Sequence, residues 1–422
     1  MKTSHIQSFS PIELAWVRAQ TPENLSVTTV ALIFSGPLDP ACLKSRIEDR
    51  LLPEKRLRQK MGLPHRPLAR PRWQEHEGFQ LSDHLLRIEA TAGHPTTALA
   101  RVVGDLSSQP LDADLPLWQI HRVDLAGDTS AIILRLHAAV ADSSAAAALA
   151  LRLTDAEDPP PVSAVGFEHH VPLQPLRDRA GNAANATRML CQLITSRADH
   201  GSPFRRPPTS SKMTAWSDPV DLVITRSQAS QSGPSVTESL LSAVVGALRK
   251  AVQRQDVPAE DTDLRAVVSL NLRDLADPLV GTRSALGLLR LPLHVASPAE
   301  QAETVREELA RLSRTPEDLA VLGCETGHGL SMTEIEEHLL RLLSQKATVA
   351  LSILDGPTHS QQLCKRPLSA LMWWPALTGD IALGISLVSY AGQVRFCVSC
   401  DSALHTDAAT LVADMAAAAT VS

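Results

Sequence analysis

Apolar and polar positions along this chain follow two periods, one typical of strands and one typical of helices. Residues Val27 to Phe34 are mostly β-branched or apolar and end at a Ser-Gly-Pro turn, which predicts a strand. In the next segment, Ala41–Leu52, apolar Leu43 and Ile47 lie four residues apart behind a capping Asp39, which predicts a helix. A strand is thus followed by a helix, and the pattern favours a mixed α and β protein.

The same periods predict further elements in both halves of the chain. The first half has another strand and helix around a polar loop, and the second half has helices, strands and a hairpin. These elements are strands over Ala131–Leu136, Asp221–Thr225 and Leu264–Leu270, helices over Ala145–Leu153, Val236–Gln253, Glu300–Leu312, Thr333–Leu343 and Thr406–Ala419, and a hairpin of Ile381–Tyr390 with Gln393–Val398.

A change in composition separates the two halves. Residues 155–211 are rich in Pro, Ser, Arg and Asp, only residues 183–195 among them have a helical pattern, and we interpret the stretch as an inter-domain linker. The predicted domains are therefore residues 1–154 and residues 212–422. A chain of 422 residues agrees with this division, since one hydrophobic core rarely serves more than about 250–300 residues.

Composition and charge narrow the class of protein. With 44% hydrophobic and 20% charged residues the chain is typical of globular proteins. A net charge of -6, with scattered basic residues, argues against nucleic-acid binding. The start of the chain has no apolar run typical of a signal peptide, and no uncharged apolar run of about 18 residues occurs, so we expect a cytoplasmic protein.

The cysteines and histidines do not predict a metal site. The spacing of the six cysteines shows no disulfide framework, so free buried thiols are expected. Cys397 and Cys400 form a CxxC pair, but strand residues three apart point to opposite faces, which disfavours shared metal or redox chemistry. His169 and His170 lie in the linker without other ligands at metal-binding spacing, which favours a solvated pair.

Candidate chemistry is concentrated in the polar loop that follows the strand over Ala131–Leu136. His137 ends this apolar run, Asp142 follows five residues later, and an Ala-rich helical segment comes next. Histidine is the usual general base in proteins because its pKa lies near neutrality.

Residues 137–143, His-Ala-Ala-Val-Ala-Asp-Ser, resemble the HHxxxDG motif of the wax ester synthase/diacylglycerol acyltransferase family, within the CoA-dependent acyltransferase superfamily. Further blocks along nearly the whole chain are similar to this family. They are Ser10 to Glu13 with Trp16 (SPxD), Pro71 to Trp73 with Phe79 and His84 (PxW..H), Pro110 to Trp118 (PLDxxxPLW), Ser235 to Arg249 (TVNDV…GALR), Leu264 to Arg273 (LRAxVPVSLR), Gly281 to Pro292 (GNxxS…LP), and Ile385 to Gly392 with Asp401 (SYxG…D).

The resemblance implies an α/β (mixed α+β) fold of two chloramphenicol-acetyltransferase-like domains, each a mixed sheet flanked by helices, with a central tunnel. It implies acyl transfer from acyl-CoA, a co-substrate, to an alcohol or diacylglycerol, without a bound cofactor. Catalytic roles are implied for His137 and Asp142, and the general-base position falls on Ala138. Substrate contacts are implied at other motif or neighbouring positions, namely Pro116, Leu117, Trp118, Ser143, Thr237, Glu238, Thr282 and Ser284.

Alanine cannot accept a proton, so three hypotheses remain for this loop. In the first, a rearranged loop brings His137 into the role of the base. In the second, the protein lacks this base and binds a substrate or partner, or uses another base or the substrate's own pKa. Several departures from the motifs favour the second hypothesis, at Ser143, Thr237, Glu238 and Thr282. In the third, Ala138 is a deliberate replacement of a histidine.

Several of these residues also have a structural interpretation. Ser143 is expected to cap the helix that begins near Ala145, in an ordinary turn that needs no glycine. Trp118, Trp373 and Trp374 are expected to pack in the core rather than line a tunnel. No catalytic role is expected for Tyr390.

Two alternative functions stay open. One is a non-catalytic protein that binds acyl-CoA or lipid, and the other is a condensation-domain-like acyltransferase that acts on a specialised metabolite. Peripheral association with a membrane or lipid droplet is compatible with each, although the sequence has no obvious basic amphipathic anchor. The oligomeric state is not predicted.

Overall fold

Both halves of the chain build β-sheets with helices packed against them. The computed structural model describes residues 7–62, 71–156, 199, 202–221, 235–271, 280–281, 284–314, 319–322, 338 and 340–421. The helices are α1 (Pro11–Ala19), α2 (Pro40–Arg50), α3 (Pro95–Ser107), α4 (Ser143–Arg152), α5 (Val236–Gln253), α6 (Pro298–Arg314) and α7 (Ala408–Val421). The strands are β1 (Gln7–Ser8), β2 (Val27–Ser35), β3 (Gln59–Gly62), β4 (Arg72–Glu75), β5 (Leu85–Ala90), β6 (Trp118–Leu125), β7 (Thr129–His137), β8 (Lys212–Trp216), β9 (Val220–Asp221), β10 (Leu264–Asn271), β11 (Ser284–Leu291), β12 (Leu319–Leu322), β13 (Val349–Asp355), β14 (Gln362–Leu363), β15 (Arg366–Trp374), β16 (Leu383–Tyr390) and β17 (Gln393–Asp401).

The first large sheet has six strands in the order β14-β15-β2-β7-β6-β5. All neighbours are antiparallel except β5 and β6. The central pair β2 and β7 is rich in β-branched and apolar residues, which favour a buried strand. Its register joins Val27 to His137, so the candidate loop leaves the sheet beside the first residue of β2.

The second large sheet has eight strands in the order β12-β11-β10-β13-β16-β17-β8, with β9 also paired to β17. Strand β13 is parallel to both of its neighbours, β10 and β16, as in a crossover connection. Helices α5 and α7 pack on each other, and their apolar residues join the sheet in one core. Two mixed sheets with flanking helices confirm the predicted fold class.

The predicted elements that fall in the described residues are confirmed, with small differences at their ends. The predicted strand over Asp221–Thr225 is described only as far as Asp221, and the predicted helix over Thr333–Leu343 only at 338 and from 340 onward. The linker helix over residues 183–195 lies outside the described residues. Strands β13 and β15 are not predicted, because long buried runs show no clear alternation of polar and apolar positions.

One strand crosses between the two halves of the chain. Strand β15 lies within the predicted domain 212–422, yet it pairs with β2 of the first sheet, from Leu368 opposite Phe34 to Trp374 opposite Thr29. Residues of the second half therefore contribute to both sheets. The predicted boundaries, domain 1–154 and linker 155–211, divide the sequence but do not divide the sheets.

A disulfide bond fastens this crossing strand to the first half. Cys42 on α2 is bonded to Cys364, which lies between β14 and β15, with their Cα atoms 6.0 Å apart. The prediction of free thiols is therefore wrong for this pair. The two cysteines are 322 residues apart in sequence, and only the pairing of β15 with β2 brings them together. Cys191 and Cys324 lie outside the described residues.

The two cysteines of the CxxC pair are free and buried on β17. Cys397 packs in the core of the first sheet, whereas Cys400 packs in the core of the second. Burial raises the pKa of each thiol to about 12, so both are protonated at neutral pH. Their side chains point to opposite faces, as the spacing predicted.

Helix α3 of the first half covers the edge strand β8 of the second sheet. The Thr214 hydroxyl donates to the carbonyl of Ala100 at 2.9 Å, and the backbone N–H of Lys212 donates to the Ser108 hydroxyl at 2.9 Å. Gly104 makes this approach possible, because a Cβ there would lie only 2.9 Å from the carbonyl oxygen of Lys212. The absence of a Cβ at Gly104 therefore allows α3 to lie this close to β8.

We predict that Gly104→Ala loosens the contact between α3 and β8. Overpacking of this kind costs about 1–3 kcal/mol, which offsets or exceeds the roughly 1 kcal/mol that alanine contributes to a helix. The free energy of unfolding, measured in urea, should not rise and should fall if the backbone of Lys212 cannot move. The control is Gly78→Ala, whose Cβ would meet the His76 ring at 3.9 Å and no other described residue within 4 Å. A clear stabilisation by Gly104→Ala would contradict the close contact.

We predict that loss of the Cys42–Cys364 bond lowers the free energy of unfolding. A cross-link restricts the unfolded chain, and its removal typically costs about 2–4 kcal/mol. Cys42→Ser should therefore shift the urea midpoint downward under non-reducing conditions. A reducing agent should destabilise the parent protein but not the Cys42→Ser variant any further. Equal midpoints for parent and variant without reductant would argue against the bond.

Candidate active site

The candidate loop joins β7 to α4, as predicted. His137 is the last residue of β7, and Asp142 is the N-cap of α4. An Asp142 carboxylate oxygen accepts hydrogen bonds from the Ala145 backbone N–H at 3.0 Å and from the Ser144 hydroxyl at 2.9 Å. Asp142 thus supports the loop through the start of the helix.

The predicted capping role of Ser143 is wrong. The backbone of Asp142 is extended, with φ -70° and ψ 174°, so its carboxylate turns back onto the first turn of α4 and Ser143 becomes the first helical residue. Ser143 is not among the residues with positive φ, so the expectation of an ordinary backbone without glycine is confirmed.

The imidazole of His137 is held by hydrogen bonds on both ring nitrogens. Nδ1 accepts the backbone N–H of Ala139 at 3.0 Å, and Nε2 lies 2.9 Å from the side-chain oxygen of Gln20. The side chain is only 2% exposed, and burial lowers the pKa of His137 to about 4. The ring is therefore neutral at pH 7, and its one proton is on Nε2, because a backbone N–H can only donate to Nδ1.

Ala138 faces the other side of the loop. Its backbone N–H donates to the carbonyl of Ser26 at 2.8 Å, and its side chain lines a different cavity from that of His137. In this arrangement the Ala139 N–H occupies the Nδ1 lone pair of His137, and the ring points away from the cavity that Ala138 lines. The His137 ring is therefore not placed to reach a substrate beside Ala138, which counts against the first hypothesis for this loop.

The cavity beside Ala138, which we call the Ala138 cavity, lies between the two halves of the chain. Its volume is about 60 Å³. Asp142 and Ser143 line it from the first half, and Leu286, Ser352 and Pro375 are among the residues that line it from the second. Among the described residues that line it, Asp142 is the one with a titratable side chain, and the other polar groups are the Trp16 indole and the hydroxyls of Ser143, Ser269, Ser344, Ser352 and Thr378.

A backbone contact ties the loop to the second half. The N–H of Gly281 donates to the carbonyl of Val140 at 2.7 Å, and Ala141 and Gly281 form an isolated parallel bridge. Gly281 has φ +91°, a conformation that glycine adopts readily. Thr282 lies outside the described residues, and Ser284 begins β11 opposite Asn271, with no side-chain placement described.

Glu13 and its neighbours brace the start of α1 near this contact. The Glu13 carboxylate accepts hydrogen bonds from the Ser10 backbone at 2.7 Å and from the Trp73 indole at 3.1 Å, and it pairs with Arg56. Arg56 also stacks over the Trp73 ring at 4.0 Å. Burial lowers the pKa of Arg56, and Glu13 counteracts this shift. The SPxD-like block is therefore a buried structural cluster.

The PLDxxxPLW-like block supports the strand that ends in His137. The carbonyl of Leu117 accepts the His137 backbone N–H at 3.1 Å, and the carbonyl of Pro116 accepts that of Trp118 at 2.8 Å. The Trp118 indole donates to Leu57 at 2.7 Å and stacks on His84. Trp118 is thus a core residue, as expected, whereas Leu117 lines the cavity beside His137.

Thr237 and Glu238 lie away from both cavities described above, in the first turn of α5. Glu238 forms a capping box with Ser235, and its carboxylate pairs with Arg306 at 3.1 Å. The Glu238 carboxylate is therefore engaged in helix capping and in the ion pair with Arg306 of α6. The geometry gives Glu238 a structural role and does not bring it to Asp142.

The other aromatic residues behave as expected. Trp373 and Trp374 on β15 are buried, and the Trp374 indole donates to the carbonyl of Val398 at 3.1 Å. The Tyr390 hydroxyl donates to Leu368 at 3.1 Å and accepts the Gln361 backbone N–H at 2.7 Å. The His169–His170 pair lies outside the described residues.

Some cavity residues are not predicted from the sequence. Ser26 holds the Ala138 peptide with a positive φ of 51°, and Gln20 contacts His137 from the end of α1. The sequence indicates Trp16 only as part of a resembling block, although its buried indole N–H has no hydrogen-bond partner within the described part of the chain. The positive φ of Ser26 and the contact of Gln20 with His137, 117 residues away, have no local sequence pattern from which they could be predicted.

In the described part of the chain, no group of three or more His, Cys, Asp or Glu is arranged to hold a metal ion. Among its helices, none combines the length and the apolar character needed to span a membrane.

Two mixed sheets joined by a crossing strand form a fold that solved structures of an acyltransferase and of condensation domains share. A wax ester synthase/diacylglycerol acyltransferase from Marinobacter aquaeolei VT8 has a similar fold, with TM-score 0.70 and 17% identity, covering 98% of this chain and 99% of that one. The first condensation domain of the calcium-dependent antibiotic synthetase is also similar, with TM-score 0.66, 16% identity and coverage of 99% and 97%.

Family models and a sequence relative narrow this class. Residues 10–294 match the wax ester synthase/diacylglycerol acyltransferase catalytic domain, and residues 280–420 match the WS/DGAT C-terminal domain. The chain therefore belongs to the wax ester synthase/diacylglycerol acyltransferase family, and the predicted resemblance is confirmed. A Mycobacterium tuberculosis relative that carries the name "putative diacylglycerol O-acyltransferase" is 24% identical over 381 residues, covering 82% of this chain and 75% of the relative.

Burial lowers the pKa of three imidazoles, those of His84, His121 and His137, and makes the stability of this fold depend on pH. Besides His137, His121 on β6 is buried, and neither of its ring nitrogens has a hydrogen-bond partner among the described residues. Burial, and to a lesser degree Arg135, lowers the pKa of His121 to about 4 from the ordinary 6.5. Between these two pH values the unfolded chain binds protons that the folded chain does not.

We predict that the free energy of unfolding falls as the pH drops from about 6.5 to about 4. His121 and His137 each change the free energy of unfolding by up to ~1.4 kcal/mol per pH unit in this window, and neither adds to the slope above it. Urea midpoints measured across this range check the slope. His121→Leu should reduce the slope without losing a hydrogen bond seen in the described structure. The control is His405→Gln, at an exposed position. A slope unaffected by His121→Leu would contradict this assignment.

Proposed function

We propose that this protein is an acyl-CoA-dependent O-acyltransferase of the wax ester synthase/diacylglycerol acyltransferase type, with turnover limited by the missing base at Ala138. Acyl-CoA is the co-substrate, and the acceptor is an alcohol or diacylglycerol. No further cofactor is part of the proposal. The same proposal includes peripheral association of the protein with a membrane or lipid droplet, because a lipid surface would supply the diacylglycerol acceptor.

The observation that carries the proposal is the Ala138 cavity. It lies at the junction of the two halves, next to a loop that keeps the Asp142 helix cap and the strand–loop–helix geometry of the motif. The family match over residues 10–294 and 280–420 supports acyl transfer rather than another reaction of the same fold.

The limit on turnover follows from the groups around the cavity. Deprotonation of the acceptor hydroxyl by a positioned base contributes roughly 10²- to 10⁴-fold to such reactions. His137 points away, and Asp142 uses a carboxylate oxygen to cap α4. A remaining route is an acceptor whose own pKa is low enough to lose its proton without help.

The second candidate is a non-catalytic protein that binds acyl-CoA or lipid. The alanine at position 138, with hydroxyls rather than an imidazole in the cavity, favours it. Binding of acyl-CoA without release of CoA on addition of an alcohol would identify this function. A condensation-like acyltransferase has less support, because the likeness to condensation domains concerns the fold alone.

We predict that Ala138→His increases the rate of alcohol-dependent CoA release from acyl-CoA by about 10²- to 10⁴-fold, the usual contribution of general-base catalysis. The free thiol of CoA is followed with a thiol reagent, using a medium-chain acyl-CoA with a long-chain alcohol and, separately, with diacylglycerol.

Ala138→Gln is the matched control, because it adds a polar side chain of similar size that cannot act as a base. A gain in Ala138→His alone supports the proposal. Equal rates in the parent and both variants would show that the missing base does not limit turnover, and would favour the binding protein.

A further inference from the structure

A second cavity, which we call the His137 pocket, lies on the opposite side of the loop from Ala138. Its volume is about 600 Å³, within the range typical of small-molecule sites. Residues from α1, from the segment before β2 and from the PLDxxxPLW-like block form its walls, and His137 lies at its base. The pocket is open to solvent, since Gln20, Pro110 and Ala113 around it are exposed.

The walls of the His137 pocket are apolar and uncharged. Leu25, Met61, Leu111 and Leu117 are among the apolar residues that line it, and its polar groups are neutral amides, hydroxyls and one imidazole. Among the described lining residues, none is Lys, Arg, Asp or Glu. Such a lining favours an uncharged ligand, because an ion would lose its hydration without gaining a partner.

His137 supplies one directional group in this apolar setting. Its Nδ1 is occupied by the backbone N–H of Ala139, which fixes the proton on Nε2 as a donor. That donor is aimed at the side-chain oxygen of Gln20, 2.9 Å away. Gln20 is exposed and follows the last residue of α1, so water can satisfy its amide when another acceptor takes its place.

We propose that the His137 pocket binds an uncharged, largely apolar small molecule with one oxygen that accepts a hydrogen bond, such as an ester or a ketone. The oxygen replaces the side-chain oxygen of Gln20 on the Nε2–H of His137, and the hydrocarbon part lies against the leucines. Nε2 carries a proton and is not a base, so no reaction takes place here. The site is separate from the Ala138 cavity and does not depend on acyl transfer.

The first test compares three probes of similar length: methyl octanoate, octane and the octanoate anion. Binding is followed by ¹⁵N NMR of the His137 imidazole, which reports directly on the hydrogen bond at Nε2. We expect saturable binding of methyl octanoate with a shift of the Nε2 signal, weaker binding of octane without that shift, and no binding of octanoate. Equal affinities of ester and hydrocarbon, or no saturable binding of the ester, would overturn the proposal.

Two surface variants locate the site without changing the residues that hydrogen-bond to the His137 ring. Ala113→Trp fills the pocket from an exposed position, and Ala92→Trp is a matched control on an exposed turn that does not line it. Ala113→Trp should abolish binding of methyl octanoate, whereas Ala92→Trp should leave it unchanged. Equal binding by both variants would place the ester elsewhere.

Gln20→Ala tests the competition for Nε2. Removal of the internal acceptor should tighten methyl octanoate by roughly 2- to 10-fold, the contribution of one neutral hydrogen bond, and should leave octane unchanged. Unchanged or weaker binding of the ester would refute the proposed contact. Ala138→His should not alter ester binding, so failure of this proposal and failure of the proposed acyl transfer are distinguishable.

Discussion

The hydrogen bonds that fix the backbone at His137 and Ala138 determine which side chain faces which cavity. The His137 N–H is held by Leu117, the Ala138 N–H by Ser26, and the His137 ring by Ala139 and Gln20. Because consecutive side chains at the end of a strand point to opposite sides, this peptide separates two cavities. One cavity receives the Nε2–H donor of the His137 imidazole, and the other receives the methyl group of Ala138, the position to which the sequence resemblance assigns the base.

The loop is held between two halves that are themselves fastened together. Gly281 binds the loop from the second half, β15 crosses into the first sheet, and the Cys42–Cys364 bond secures its hairpin to α2. Gly104 lets α3 lie directly on β8 on the other side. These contacts place residues of both halves around the Ala138 cavity, so the site exists only when the whole chain is folded.

Much of the fold was predictable, because strands such as β2 and helices such as α5 carry strong local patterns. The candidate loop was also predictable, since a strand, a His, an Asp and an Ala-rich helix follow each other in sequence. Other features depend on contacts between distant segments. The disulfide pair and the crossing of β15 belong to this group, as does the use of Glu238 for capping and for Arg306. The choice of Asp142 over Ser143 as the helix cap depended on one dihedral angle that neither residue type dictates.

By itself, the sequence determined the family, the alternation of elements and the absence of an imidazole at position 138, because these are properties of residue types and their order. The tertiary structure decided where the remaining groups point. Desolvation lowers the pKa of His137, a backbone N–H fixes its tautomer, and the strand directs it away from the Ala138 cavity. These effects arise from burial and from partners distant in sequence, which become defined only once the chain is folded.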